Sequence, residues 1–264
     1  MLQMKNITKV FNPGTVNEKK ALSQVNFSMD EGDFVTVIGG NGAGKSTLLN
    51  CIAGVYTLDG GQILLDGKDV TRLPEFKRAP YLGRVFQDPM MGTAADMNIE
   101  ENLAMALRRG KRRGLRWGVT GAERGRYREL LRELDLGLEN RLEDKVGLLS
   151  GGQRQALTLL MATLNPPKLL LLDEHTAALD PRTASKVLDL TGRLIAEHHL
   201  TTLMVTHNMN DAIRLGNRLI MMNAGHIAVE ISGEEKQSLH RNDLIALFEK
   251  ASGDKLENDR MLLS

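Results

Sequence analysis

The sequence predicts an α/β fold: buried, mostly parallel strands alternating with helices, and a helical segment inserted into that core. Three observations carry this expectation. Residues 34–38 (FVTVI) form a β-branched run that stops at Gly39 and Gly40, and helix-forming residues follow. Residues 169–172 (LLLL) are a continuous apolar run ending at Asp173 and Glu174, as suits a strand buried on both faces of a parallel sheet. Between them, from about Asp96 to Leu149, the chain is charged and helix-favouring and holds no strong strand.

The remaining elements follow in order. STLLNCIAG reads as a helix from Ser46 to Ala53 that stops at Gly54. QRQALTLLMATL reads as a helix that ends before Pro166 and Pro167. Asp180 and Pro181 open another helix, as N-cap and first-turn proline, with Val187, Leu190 and Leu194 on the helical period. TLMV (202–205) is a further buried strand, and RLIMM (218–222) with HIAVEI (226–231) flanks the turn Asn223–Gly225 as a hairpin. Near the end, DLIALFEK (243–250) has an amphipathic helical pattern, in a tail too short for a separate regulatory domain.

Composition narrows the function. Of 264 residues, 42% are hydrophobic and 25% charged, which is ordinary for a soluble globular chain. Lys and Arg number 34 against 33 Asp and Glu, so the global balance gives no reason to expect a nucleic-acid or membrane-surface binder. One cysteine, Cys51, excludes an internal disulfide framework and fits a reducing compartment. The start, MLQMKNITKVF, lacks the apolar core and cleavage pattern of a signal peptide. No apolar run approaches the ~20 residues of a membrane-spanning helix, so any work at a membrane requires another chain to span it.

Residues Gly39, Gly40, Asn41, Gly42, Ala43, Gly44, Lys45, Ser46 and Thr47 match G-x-x-x-x-G-K-[ST] between an expected strand and an expected helix. Glycines let backbone N–H groups close around phosphate oxygens, and the helix N-terminus adds partial positive charge. Lys45 would reach the β- and γ-phosphates and the Ser46 hydroxyl would ligate Mg²⁺. The bland alternative is a glycine turn. Asp173, ending its buried strand, can hold Mg²⁺, and Glu174 can orient or deprotonate an attacking water; taken alone, the run could equally be core ending in solvent.

Residues 149–153 (LSGGQ) open the next helix with Ser150, Gly151, Gly152 and Gln153, another helix start suited to an anion. With the two flanking motifs, this pentapeptide resembles the signature of ATP-binding cassette (ABC) ATPases, and the resemblance covers about residues 1–232. It implies a P-loop NTPase (RecA-like) core with a mostly parallel sheet, an antiparallel β subdomain and an inserted helical subdomain. It also implies that the signature acts across a dimer, on ATP held by the partner copy. By the same resemblance Gln87 is the Q-loop glutamine that touches Mg²⁺, and His207 is the switch histidine at the γ-phosphate. Asp180 is the D-loop aspartate at the dimer interface, a role compatible with capping its helix. Phe11 stacks on adenine, although a phenylalanine ending a first strand is otherwise core.

The chain departs from the family in one stretch. Many members read D-E-P-T-S-A-L-D after the second motif, whereas here His175 stands for the proline and Ala177 for the serine. The string EHTAALD is similar to a bacterial subgroup of tryptophan/tyrosine-type importers. A second local feature is RRGKRRGLR (108–116), with six basic residues in nine and no acid from Asn102 through Ala122. It reads as a solvated loop, as a contact with anionic lipid or a membrane subunit, or, with only Trp117 to stack, as a nucleic-acid patch.

The expected organisation is an ABC ATPase domain over 1–232, with RecA-like core segments 1–95 and 156–232, a helical subdomain at about 96–155 and a helical extension over 233–264. The expected ligands are ATP and Mg²⁺. The expected partners are a second copy, integral-membrane permease subunits at the cytoplasmic face and a substrate-binding protein, with no nucleic acid. The rival is a soluble cassette serving iron–sulfur assembly. Chromosome-maintenance types are disfavoured by the lack of a long heptad segment, and translation-factor types by the presence of one cassette only.

Overall fold

The computed structural model describes residues 1–111 and 118–252. The chain begins with β1 (Leu2–Phe11), β2 (Lys19–Met29), β3 (Phe34–Gly39) and α1 (Lys45–Ala53). Next come β4 (Gly60–Leu65), β5 (Lys68–Asp69), α2 (Glu75–Arg78), β6 (Leu82–Val85), α3 (Ile99–Leu107) and α4 (Gly121–Glu133). After two short 3₁₀ turns follow α5 (Gly151–Thr163), β7 (Leu169–Asp173), α6 (Pro181–Glu197), β8 (Thr202–Val205) and α7 (Met209–Arg214). The described chain closes with β9 (Arg218–Asn223), β10 (His226–Ser232), α8 (Gly233–Gln237) and α9 (Arg241–Ser252). It divides into two compact units: the described parts of Met1–Arg78 with Leu200–Ser264, and Ala79–His199.

In the first unit β1 pairs antiparallel with β2 and β4, and β5 extends that sheet beyond β4. Burial alternates along β2, with Val25, Phe27 and Met29 inside and their neighbours out, the signature of a sheet with one covered face. β3 lies parallel between β8 and β9, and all its residues are buried, which explains why its sequence shows no alternation of buried and exposed positions. β9 and β10 form the expected hairpin across Asn223 and His226.

Arg78 is buried, and its guanidinium donates to backbone carbonyls. Its Nη1 donates to the Cys51 and Ile52 carbonyls at 2.8 Å, its Nε to Leu73 and its Nη2 to Thr71. It thereby adds side-chain donors to carbonyls at the C-terminal end of α1, where the Cys51 carbonyl also accepts the Gly54 N–H at 3.3 Å.

The C-terminal segment holds two helices where the sequence suggests one. The five residues of α8 are too few to show a helical period. Leu239, Leu244 and Phe248 join Ile38, Met209, Ala212 and Met221 in one buried cluster. Lys236 Nζ donates to the carbonyls of Ile213, Leu215 and Gly216 at the end of α7, and burial pushes this ammonium down to about 8.

In the second unit β6 and β7 pair in parallel, Leu82 with Leu169 through Val85 with Leu172. Most of α5 is buried. α6 starts at the expected cap, Asp180 accepting from the Thr183 N–H at 3.1 Å, and buries Val187, Leu190 and Leu194. The described part of the middle segment is helical, as expected. α3 and α4 each begin with a capping box, Asn98 with Glu101 and Thr120 with Glu123. Arg124 grips the buried Glu100 with two hydrogen bonds of 2.6 and 2.8 Å.

The basic stretch proves partly internal. Arg108 pairs with Glu123 at 2.8 Å, and Arg109 donates to the carbonyls of Ala162 and Asn165. Those two cations serve the fold; residues 112–116 lie outside the described residues.

Candidate functional site

The glycine loop connects β3 to α1 without slack. Gly39 (φ 151°) and Gly44 (φ 107°) adopt backbone that L-residues avoid. A Cβ on Gly39 would lie 2.3 Å from the Met222 carbonyl oxygen, and one on Gly44 would lie 2.6 Å from that of Ala21. No side chain caps α1 and no acidic residue sits in its first turn, so its leading N–H groups are offered to an anion. Asn41, Gly42 and Ser46 are exposed, Thr47 is half-buried, and Ala43 and Lys45 are buried. Lys45 Nζ donates to the Gly39 and Gly40 carbonyls at 2.7 and 3.2 Å, which holds the ammonium over its own loop.

Phe11, the last residue of β1, is half-buried. Tyr56 meets its ring edge-on, with centroids 5.2 Å apart, and Lys9 Nζ lies 5.5 Å from its centroid. Phe11, the residue expected to stack on adenine, thus packs against a second aromatic ring. His207 is exposed and follows β8, where Thr206 N–H donates to the Val37 carbonyl and Asn208 caps α7. Burial raises the Asp211 carboxyl one turn on, against the opposing pull of Arg214 and His207.

The second unit carries the other expected residues. Gln87 is exposed just beyond β6. Asp173 ends β7, with Arg84 Nη2 3.8 Å from its Oδ2. Glu174 has φ 44°, the left-handed region, which is uncommon for a residue with a side chain. His175, next along, is buried, and its Nε2 lies 3.0 Å from Thr191 Oγ1; burial pushes its imidazole down to about 4, so the ring is neutral.

The signature doubles as a capping box. Ser150 Oγ accepts the Gln153 N–H at 3.3 Å, and Gln153 Oε1 accepts the Ser150 N–H at 3.2 Å. Gln153 Nε2 also reaches the Leu136 carbonyl. Ser150 and Gly151 stay exposed at the helix start, and Gly152 is buried. Beside them a cavity of about 560 Å³ is lined by Ser150, Gln153, Thr183, Lys186 and Arg193. Asp180 is exposed, and its hydrogen bonds with Thr183 hold the carboxyl below its ordinary value.

The sequence matches the model of a family described as "ABC transporter" over residues 22–177. The chain belongs to the ABC transporter family. It is 44% identical over 252 residues to the tyrosine transport ATP-binding protein of Clostridioides difficile, covering 95% of this chain and all of that one. Identity to the spermidine/putrescine import ATP-binding protein PotA of Haemophilus ducreyi is 34% over 248 residues, which is 94% of this chain and 62% of the relative.

The fold resembles the dimeric cassette MJ0796 with ADP and phosphate, with TM-score 0.75, 32% identity, and coverage of 88% of this chain and 98% of that one. It also resembles the ADP conformation of cassette MJ1267, with TM-score 0.76, 28% identity, and coverage of 94% and 98%. The fold is therefore the α/β P-loop NTPase fold of ABC cassettes, and the chain is an ATP-binding, ATP-hydrolysing ABC subunit. Its named relatives are transport ATP-binding proteins, which sets aside the iron–sulfur assembly alternative. Among the described residues, no helix is long and apolar enough to cross a membrane.

Tyr56 beside Phe11, Arg84 beside Asp173 and Thr191 beside His175 are neighbours of candidate residues that the sequence does not signal. Each acts through a contact made by folding, and none stands in a motif.

Proposed function

We propose that two copies of this chain close around ATP, and that closure drives uptake of a small solute, an amino acid, through separate integral-membrane subunits at the cytoplasmic face. The observation that carries the solute class is the 44% identity, along its whole length, to a protein named for tyrosine transport.

Lys45 and the loop N–H groups from Gly39 to Thr47 hold the β- and γ-phosphates, while Phe11 stacks on the base. Glu174 orients and deprotonates the attacking water, and His207 contacts the γ-phosphate. Ser150, Gly151, Gly152 and Gln153 meet the nucleotide held by the other copy, and Asp180 lies at that interface. Ser150 suits this role because its oxygen accepts the Gln153 N–H, which leaves its own O–H to donate to a phosphate.

Mg²⁺ fits the donor set. The Ser46 hydroxyl, Gln87 amide and Asp173 carboxylate are hard oxygen ligands. When bound, the ion neutralises phosphate charge. A substrate-binding protein delivers the solute, and nucleic acid takes no part. The helical subdomain at about 96–155 transmits closure to the membrane subunits.

The test is affinity purification from detergent-solubilised membranes, followed by uptake of labelled tyrosine and tryptophan into vesicles carrying the recovered complex. Polytopic partners and ATP-dependent uptake support the proposal. Recovery of soluble partners alone overturns transport, and a polytopic complex that moves neither amino acid overturns the solute class.

A further inference from the structure

The geometry points to His175 as the positioning residue for Glu174, fixing the backbone from which that carboxylate projects by anchoring the next residue to α6. This rests on the proposed role of Glu174.

Glu174 sits at φ 44°, a left-handed conformation that is unfavourable for a residue with a side chain and persists only where neighbours hold it. Upstream, Leu172 is buried and paired with Val85, so the chain enters the turn from a fixed strand. Downstream, the turn is closed by the Ala177 N–H donating to the Glu174 carbonyl at 2.9 Å. A further restraint is the His175 side chain, 2% exposed and hydrogen-bonded to Thr191 on α6.

The direction of that hydrogen bond is assigned by its neighbours. Thr191 Oγ1 donates its one proton to the Val187 carbonyl at 2.7 Å. Its oxygen can then only accept, so His175 Nε2 carries the hydrogen and donates. The relay His175 to Thr191 to Val187 binds the turn to the middle of α6, whose start is capped by Asp180. Many family members carry proline at this position, which restrains its own φ; here a buried side chain supplies the restraint.

ATP turnover is measured for wild type, His175→Leu, His175→Gln, Thr191→Val, Glu174→Gln and Glu174→Gln/His175→Leu, with Tm recorded for each. His175→Leu should lower kcat roughly tenfold or more while KM for ATP stays within about twofold, as misplacement of a reacting group does. Thr191→Val, which strands the histidine donor, should fall similarly. His175→Gln keeps an N–H donor and should recover most of kcat. The double variant should turn over no more slowly than Glu174→Gln, because a residue acting only through Glu174 has nothing left to position.

Normal kcat in folded His175→Leu and Thr191→Val, beside an inactive Glu174→Gln, overturns the anchor and leaves the role of Glu174 intact. A full additional loss on top of Glu174→Gln overturns it too. Normal turnover in Glu174→Gln removes the base and the anchor together. If His175→Leu does not fold, Thr191→Val and His175→Gln carry the test.

Discussion

Thr183 occupies the space that a side chain on Gly152 would need: its methyl carbon Cγ2 lies 2.1 Å from the Cβ position that the glycine leaves empty. The second signature glycine is thus fitted to the first turn of α6, the helix that Asp180 caps through the same Thr183. Gly152→Ala should lower stability by about 1–3 kcal/mol through overpacking and reduce ATP turnover. Adding Thr183→Ser removes Cγ2 and leaves Thr183 Cβ at 3.5 Å as the nearest atom, an ordinary contact. Tm and turnover should then return most of the way to wild type. A double variant as defective as Gly152→Ala would show that something other than Thr183 demands the glycine.

Helix α1 depends on a residue beyond its C-terminal end, Arg78. Arg78→Lys keeps the charge but loses the planar fork that serves the Cys51, Ile52, Thr71 and Leu73 carbonyls. Unfolding by urea should show a loss of roughly 2–4 kcal/mol, from buried acceptors left without donors. A change below about 0.5 kcal/mol would mean that water or the lysine replaces those bonds.

Asp33 gives the fold an acid-sensitive tie. Burial works to raise its carboxyl. Hydrogen bonds from Asn217, the Asp30 N–H and Arg218 outweigh burial and hold it below the ordinary 3.8. A carboxylate depressed in the folded state stabilises above its unfolded value, and that stability is lost as pH falls through the folded one. Asp33→Asn should therefore cost about 1–3 kcal/mol at pH 7, with the gap to wild type closing as pH falls below 3.8. A gap independent of pH would mean that the loss is one of shape rather than charge.

Much of this was legible because certain motifs serve fold and site alike. The run FVTVI gave β3 because a strand flanked by strands needs no alternation, and Asp180-Pro181 gave the start of α6 through its cap. The loop from Gly39 to Thr47 was legible for the same reason, since only a few residues allow its backbone. What the residues did not disclose depends on tertiary partners. β6 is four residues long and draws its definition from pairing with β7, and α8 is a five-residue helix. The environment of His175 could not be read from its neighbours in sequence, because Thr191 reaches it only through the packing of α6. The stretch RRGKRRGLR looked like a surface patch by charge alone, but Arg108 and Arg109 meet acceptors on α4 and at and just beyond the end of α5.

Pairing of two defective copies tests whether nucleotide sites are shared. Lys45→Ala removes the proposed phosphate contact and Ser150→Arg blocks the proposed signature contact, so each homodimer should be inactive. A tagged heterodimer of the two holds one site with both intact halves and should regain turnover. A verified heterodimer as inactive as its parents, beside an active linked dimer with one site destroyed, would contradict sharing.

The most direct test of the account is Glu174→Gln, assayed for ATP turnover, ATP affinity and dimer formation together. Losing a positioned base should cut turnover by ~10²-fold or more, leave ATP affinity close to wild type, and leave an ATP-dependent dimer that persists through size-exclusion chromatography. Turnover within twofold of wild type, or a variant that stays monomeric with ATP bound, would contradict the assignment of Glu174 and the closed dimer it is proposed to release.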